Sequence, residues 1–188
     1  MGVVLGLHGY GGVGKDTLAD ALVDNYGFVK IAFADPVREI LYRMNPVVVI
    51  EDNQPVSLQE VVDRIGWTEA KHLYPSVREM LVGLGMGARQ SIGPRVWIDE
   101  AMRRAGNHER IVFSDVRMLD EAVFLRDVYR AILVHVVRPG VGPAHNQELS
   151  SLPPAMLDYV IENDGDIVDL KAKADILMNR LALKGLVS

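Results

Sequence analysis

The hydrophobic positions of this chain fall into short, mostly unbroken runs separated by stretches with helical spacing. Five runs read as strands: Val3–Leu7, Phe28–Phe33, Arg110–Ser114, Ala131–Val137 and Tyr159–Ile161. They are rich in β-branched and aromatic residues and do not alternate with polar ones, the pattern of strands buried on both faces. Between them the apolar period changes to that of a helix. From Gly14 to Asn25, residues Leu18, Ala21 and Leu22 share a face, and Gly27 follows as a stop. Asp35 can cap a second helix with Pro36 at its first position and Val37, Ile40 and Leu41 on one side. A third passes through Glu121 and Leu125, and a fourth, Ile167–Leu181, carries Ile167, Leu170, Ala174, Leu177 and Leu181 as a packing stripe. Strands alternating with helices predict an α/β fold, a five-stranded parallel sheet flanked by helices.

One interval breaks the alternation. After a break at 45–54, with Pro46 and Pro55 at its edges, come helical patterns at Leu58–Ile65, Ser76–Gln90 and Pro94–Arg104 with no strand among them. Roughly fifty residues is too long for a simple crossover. The expectation is one domain, 1–188, with a helical insert at about 45–105 capping the carboxyl edge of the sheet, where open α/β folds bind ligands. Arg78, Arg89 and Arg95 gather in this insert. Arg78 and Arg89 are about three helical turns apart and share a face only if the helix runs unbroken through Gly83, Gly85 and Gly87. By spacing alone these arginines read equally well as solvated, and Trp97 reads as core before it reads as a stacking residue.

Composition narrows the function classes. Of 188 residues, 49% are hydrophobic and 24% charged, a globular balance, and the net charge of −5 argues against a nucleic-acid polymer as partner. The chain has no cysteine, so disulfides, thiolate metal sites and cysteine nucleophiles are excluded. Nothing at the N-terminus resembles a signal peptide and no apolar run has membrane-spanning length, so the expected location is cytoplasmic, without a membrane partner.

Candidate chemistry concentrates after the first strand, in Gly9-Tyr10-Gly11-Gly12-Val13-Gly14-Lys15-Asp16-Thr17. This is the G-x-x-x-x-G-K frame of a phosphate-binding loop. Glycines let the backbone curl around phosphate oxygens, the helix dipole favours the anion, and Lys15 supplies a mobile cation. Asp16 stands where a Ser or Thr usually binds Mg²⁺, with Thr17 next. The same stretch also reads Gly9-x-Gly11-x-x-Gly14, a dinucleotide fingerprint with Asp35 near the distance of a ribose-binding acid. Lys15 and Pro36 count against that oxidoreductase reading. Asp115 follows an apolar strand and can hold Mg²⁺ or its waters, or cap the next helix; Arg117 can clamp an anionic oxygen. Arg138 opens a Gly/Pro-rich segment at about 138–152 that reads as a lid, containing His145 and Glu148. Asn163 lies in a turn after the last strand, and its amide could read an adenine edge.

Together these motifs resemble the bacteriophage deoxynucleoside monophosphate kinases of the P-loop kinase superfamily. The resemblance rests on Gly9–Thr17 in the form GxxxxGKDT, on Phe33-Ala34-Asp35-Pro36-Val37-Arg38, on Arg78…Gly87-x-Arg89…Gly93-Pro94-x-Val96-Trp97, on Asp115-Val116-Arg117 and on Ile161-x-Asn163-Asp164-Gly165. It implies a P-loop kinase fold, ATP and Mg²⁺ as cofactors, a deoxynucleoside monophosphate (dNMP) as substrate, and the host cytoplasm as location. ATP would lie on Gly11, Gly12, Val13, Gly14, Lys15, Asp16 and Thr17, with the adenine near Asn163 and the metal near Asp16 and Asp115. The acceptor would engage Asp35, Arg38, Arg78 and Arg89, with Trp97 supporting the base. Lys15, Asp16, Asp115, Arg117 and Arg138 would carry the transfer. Dimerisation is implied by the resemblance alone. The related lid often reads His-x-Ser-Glu, where this chain has His145-Asn146-Gln147-Glu148. Alternatives are a P-loop kinase for another small acceptor, of the dephospho-CoA or phosphomevalonate kinase type, and a non-catalytic nucleotide sensor.

Overall fold

A computed structural model describes residues 2–51, 54–142 and 152–186. In chain order its elements are β1 (Val3–His8), α1 (Lys15–Tyr26), β2 (Val29–Ile31), α2 (Asp35–Met44), β3 (Val47–Glu51), β4 (Gln54–Ser57) and α3 (Leu58–Leu73). They continue with α4 (Pro75–Ser91), α5 (Val96–Ala105), β5 (Arg110–Val116), α6 (Leu119–Tyr129), β6 (Ile132–Val137), β7 (Tyr159–Glu162) and α7 (Ile167–Leu183). The chain forms two compact units, Met1–Ala32 with Met102–Ser188, and Phe33–Ala101.

The first unit holds the expected five strands in one sheet, ordered β2-β5-β1-β6-β7, every neighbouring pair parallel. From β1 the chain moves to one side of the sheet through β2 and β5, and then to the other through β6 and β7. β1 is therefore central, beside the point where the winding reverses, the place where open α/β sheets bind ligands at their strands' carboxyl ends. Leu5, Leu7, Val112, Val134 and Val136 meet Leu18 and Leu22 of α1 and Leu170, Leu177 and Leu181 of α7 in one buried cluster. Burial on both faces explains why the strand runs are continuous. Gly6 fits this core because a methyl there would come within 2.7 Å of Leu133 Cδ2 and 3.0 Å of Val116 Cγ2.

The second unit has its own core of Leu41, Val48, Leu58, Val61, Ala70 and Val77. The break read at 45–54 is instead an antiparallel hairpin, β3 paired with β4. Asn45 ends α2 in the left-handed region (φ 47°), and its Oδ1 accepts from Gln59 N at 2.8 Å. The two prolines hid the hairpin, yet Pro55 faces Ile50 in a two-stranded ribbon, where every strand is an edge and a missing N–H is tolerated. The end expected at Ile65 is a kink inside α3, at Gly66 (φ 75°, ψ 165°). α4 runs through Gly83, Gly85 and Gly87 without interruption, so Arg78 and Arg89 do share a helix face.

Candidate functional site

The carboxyl ends of β1, β5 and β6 lie side by side, and the sequence places a chemically capable segment directly after each. After β1 the loop turns through three positive-φ glycines, Gly9 (141°), Gly12 (81°) and Gly14 (99°). A side chain at Gly9 would collide with the Val136 carbonyl, and one at Gly14 would meet Leu170 Cδ2 at 2.6 Å and Asn163 Nδ2 at 2.7 Å. At Gly11 and Gly12 an added Cβ would meet nothing within 4 Å, so the middle of the loop faces open space. Its roots are packed against protein and its crest is bare, which suits a cradle for an anion.

Gly14 precedes α1, whose N-terminus receives no side-chain cap among the described residues. The positive dipole end of α1 is thus not offset by a capping side chain, which favours an anion there. Lys15 is buried to 8% exposure, and its Nζ donates to the carbonyls of Gly9 (2.8 Å) and Tyr10 (2.7 Å), across the loop's own entrance. A buried ammonium with carbonyl partners is a cation held ready for phosphate oxygens. Asp16 is turned elsewhere. Its carboxylate, 79% exposed, pairs with Lys30 Nζ of β2 at 2.9 Å. An acid so paired is a weaker candidate for the ion than Asp115.

Asp115 is 8% exposed at the end of β5. The β1–β5 ladder shifts register here: Gly6 opposes Phe113, but His8 opposes Val116. The extra β5 residue makes a bulge at Ser114-Asp115, a common device for re-aiming a side chain beside a site. His8 closes the bulge, its Nδ1 3.0 Å from the Val116 carbonyl, and its ring stacks on His135 of β6 with centroids 5.1 Å apart. Burial lowers the pKa of both imidazoles, and the charge of Lys15 adds to this, so both are neutral at pH 7. Neither ring adds charge near Lys15. Arg117 and Arg138 are exposed at the ends of β5 and β6.

Sequence reasoning gave Glu121 no role beyond the helix. It is 5% exposed, and its Oε2 accepts from Arg117 N and Met118 N, both at 2.9 Å, closing the N-terminus of α6 and fixing the backbone that carries Arg117. Burial pushes its carboxyl up to about 7, with Asp115 and Asp120 adding to the rise and the two backbone donors opposing it. The available signal was an acid in the first turn after Asp115-Val116-Arg117.

Asn163 departs from expectation. It is 3% exposed, and its Nδ2 donates to the Val13 carbonyl at 2.9 Å, so the amide holds the loop and is not presented to a base. Its seat is fixed on both sides. Asn163 N donates to Val137 O at 2.7 Å, Lys173 ties Glu162 O to Asp164, and Asp166 caps α7 by accepting from Val168 N and Asp169 N.

Asp35, Arg38, Arg78, Arg89 and Trp97 all belong to the second unit. Asp35 is the first residue of α2, not its cap, and its Oδ1 accepts from Arg38 Nη1 at 2.9 Å. Arg78 is exposed and Arg89 half-buried on α4. Trp97 is not available to a base: it is 7% exposed, and its indole N–H donates to Gly85 O at 2.8 Å, as a buried indole requires. His145 and Glu148 lie outside the described residues. Among the described residues no three acids or histidines cluster as a metal cage, and no helix is long and apolar enough to cross a membrane.

No protein-family model matches the chain. It is 28% identical over 179 residues, 88% of this chain and 90% of the other, to an Acanthamoeba polyphaga mimivirus protein described as "Putative deoxynucleotide monophosphate kinase". Among solved structures it is similar to dephospho-CoA kinase from Campylobacter jejuni (TM-score 0.48, 9% identity, 98% of each chain covered). It is also similar to a sugar kinase from Janibacter sp. HTCC2649 (TM-score 0.47, 14% identity, 95% of each chain covered).

Proposed function

We propose that this chain is an ATP-dependent kinase that converts deoxynucleoside 5′-monophosphates to diphosphates by direct in-line transfer. The observation that carries the reading is the loop itself: a bare-crested glycine turn at the switch point of a parallel sheet, with Lys15 buried inside it and Asp115 on the neighbouring strand. The dinucleotide fingerprint assigns no role to a lysine directly after its third glycine, whereas a phosphate loop does. The sequence similarity to the mimivirus protein supports the same acceptor class.

The residues fit the triphosphate by their chemistry. The open N-terminus of α1 and the crest at Gly11 and Gly12 would receive phosphate oxygens, and Lys15 would exchange its two loop carbonyls for them. Asp115 and the Thr17 hydroxyl are the groups that would hold Mg²⁺ or its waters, and the ion would supply positive charge to offset that of the phosphates. Arg117 and Arg138 would neutralise oxygens of the transferring group. Arg38, Arg78 and Arg89 would hold the acceptor monophosphate. The acceptor is already an oxyanion, so the reaction needs no side-chain nucleophile. The protein's work is to orient two polyanions and exclude water.

The test is coupled ADP release with Mg-ATP and a panel of dNMPs. Acceptor-dependent turnover is expected in the wild type, with a loss of about 10²–10³-fold in Lys15→Ala, the scale for removing one preorganised donor. Release that no dNMP stimulates, together with tight NADH binding, would return the chain to the oxidoreductase reading.

A further inference from the structure

With Trp97 buried, the base of the proposed acceptor lacks the platform expected for it, and the second unit offers another. A pocket of about 380 Å³ is lined by Asp35, Arg38, Glu39, Tyr42 and Trp67, within the size range of small-ligand sites. Four of the five belong to α2, where they recur at one-turn intervals and so form a single face. Trp67 comes from α3, directly after the Gly66 kink. Its ring is half-buried against the unit's core, and its indole N–H has no acceptor among the described residues. The pocket therefore combines an aromatic plane, a guanidinium and two carboxylates. That set matches a heterocycle with N–H donors on its edge and an anionic group attached.

We propose that this pocket seats the nucleobase of the acceptor monophosphate, with Trp67 as its stacking platform and Glu39 accepting from an amino group on the base edge. The inference rests on the kinase reading for its acceptor class. A carboxylate accepts from the N4 amine of cytosine, the N6 amine of adenine or the N2 amine of guanine, whereas thymine turns an oxygen toward it. Glu39 Oε1 already accepts from Arg43 Nη2, and a carboxylate has lone pairs for a further donor. Amino-bearing bases are thus preferred over thymine, whose carbonyl oxygen a carboxylate repels. Arg38 supplies the positive charge at the same pocket for the monophosphate.

The experiment measures turnover with dCMP, dAMP, dGMP and dTMP for the wild type, Trp67→Ala, Trp67→Phe and Glu39→Gln. In parallel, dCMP is titrated without ATP while tryptophan emission is followed. Losing the stacking plane should raise the acceptor KM about 10-fold or more in Trp67→Ala with the ATP KM unmoved, and Trp67→Phe should recover most of that loss. Glu39→Gln should bring the dCMP-to-dTMP preference toward parity. The chain has two tryptophans, so quenching by dCMP should appear in the wild type and vanish in Trp67→Phe. An acceptor KM in a folded, active Trp67→Ala within about threefold of wild type overturns the pocket and leaves the kinase reading standing. If the wild type phosphorylates no dNMP, the kinase reading fails and the titration still decides. Quenching that Trp67→Phe abolishes keeps the pocket as a nucleotide site, and absence of quenching ends it.

Discussion

Replacing Asn163 with alanine separates two roles for that residue, a brace for the phosphate loop and a reader of adenine. Its Nδ2 is the partner, among the described residues, of the carbonyl of Val13, a residue only 1% exposed. Removing the amide leaves that carbonyl unpaired out of water, at about 1–3 kcal/mol. The lost side-chain packing adds on the order of 1 kcal/mol. A total near 3 kcal/mol lowers Tm by roughly 6–12 °C for a chain of this size. The assay is thermal unfolding of the nucleotide-free protein, followed by the ATP KM and the ratio of ATP to GTP use. The expected result is a large Tm loss without nucleotide, a raised KM for both donors and an unchanged ratio. Asn163→Asp should behave similarly, since a carboxylate cannot donate to the carbonyl. A variant that melts within about 1 °C of wild type but no longer distinguishes ATP from GTP would refute the brace and restore the adenine role.

Four further outcomes follow from the same geometry. Glu121 titrates near 7 when folded and near 4.5 when unfolded, so the native state binds the extra proton between those values. Stability should therefore fall as pH rises from about 4.5 to 7, by at most on the order of 3 kcal/mol, and Glu121→Gln should flatten that slope in denaturant midpoints measured across the range. Asp16 faces Lys30, so Asp16→Ser should shift stability by less than about 1 kcal/mol and leave the Mg²⁺ requirement within about threefold. Asp115→Asn should raise the Mg²⁺ requirement about tenfold or more in a metal titration of activity. Gly6→Ala should lower stability by about 1–3 kcal/mol, read by chemical unfolding, because its methyl has no room beside Leu133 and Val116.

The parallel sheet was legible in the sequence because strands buried on both faces are mostly apolar, as Val3–Leu7 is throughout and Ala131–Val137 is apart from His135. The phosphate loop was equally legible, since its glycine positions are dictated by backbone geometry that no other residue adopts cheaply. What escaped depended on contacts distant in sequence. Nothing local to Asn163 says that its amide meets Val13, or that Trp97 spends its indole on Gly85 while Trp67 borders a pocket. The β3–β4 hairpin was readable from Val47-Val48-Val49-Ile50, but the flanking prolines carried more weight than a two-stranded ribbon warrants. The three glycines of α4 misled in the opposite direction. Each costs helix propensity, but packing of Val77 into the second unit's core helps hold the helix together.

Phosphoryl transfer, as distinct from nucleotide binding or hydrolysis, is the central claim, and ³¹P NMR of the protein with Mg-ATP and a dNMP observes it directly. The account predicts dNDP and ADP appearing in equal amounts, and both forming about 10²–10³-fold more slowly in Lys15→Ala. ATP that stays intact, or that yields ADP and inorganic phosphate with the dNMP unchanged, would contradict it.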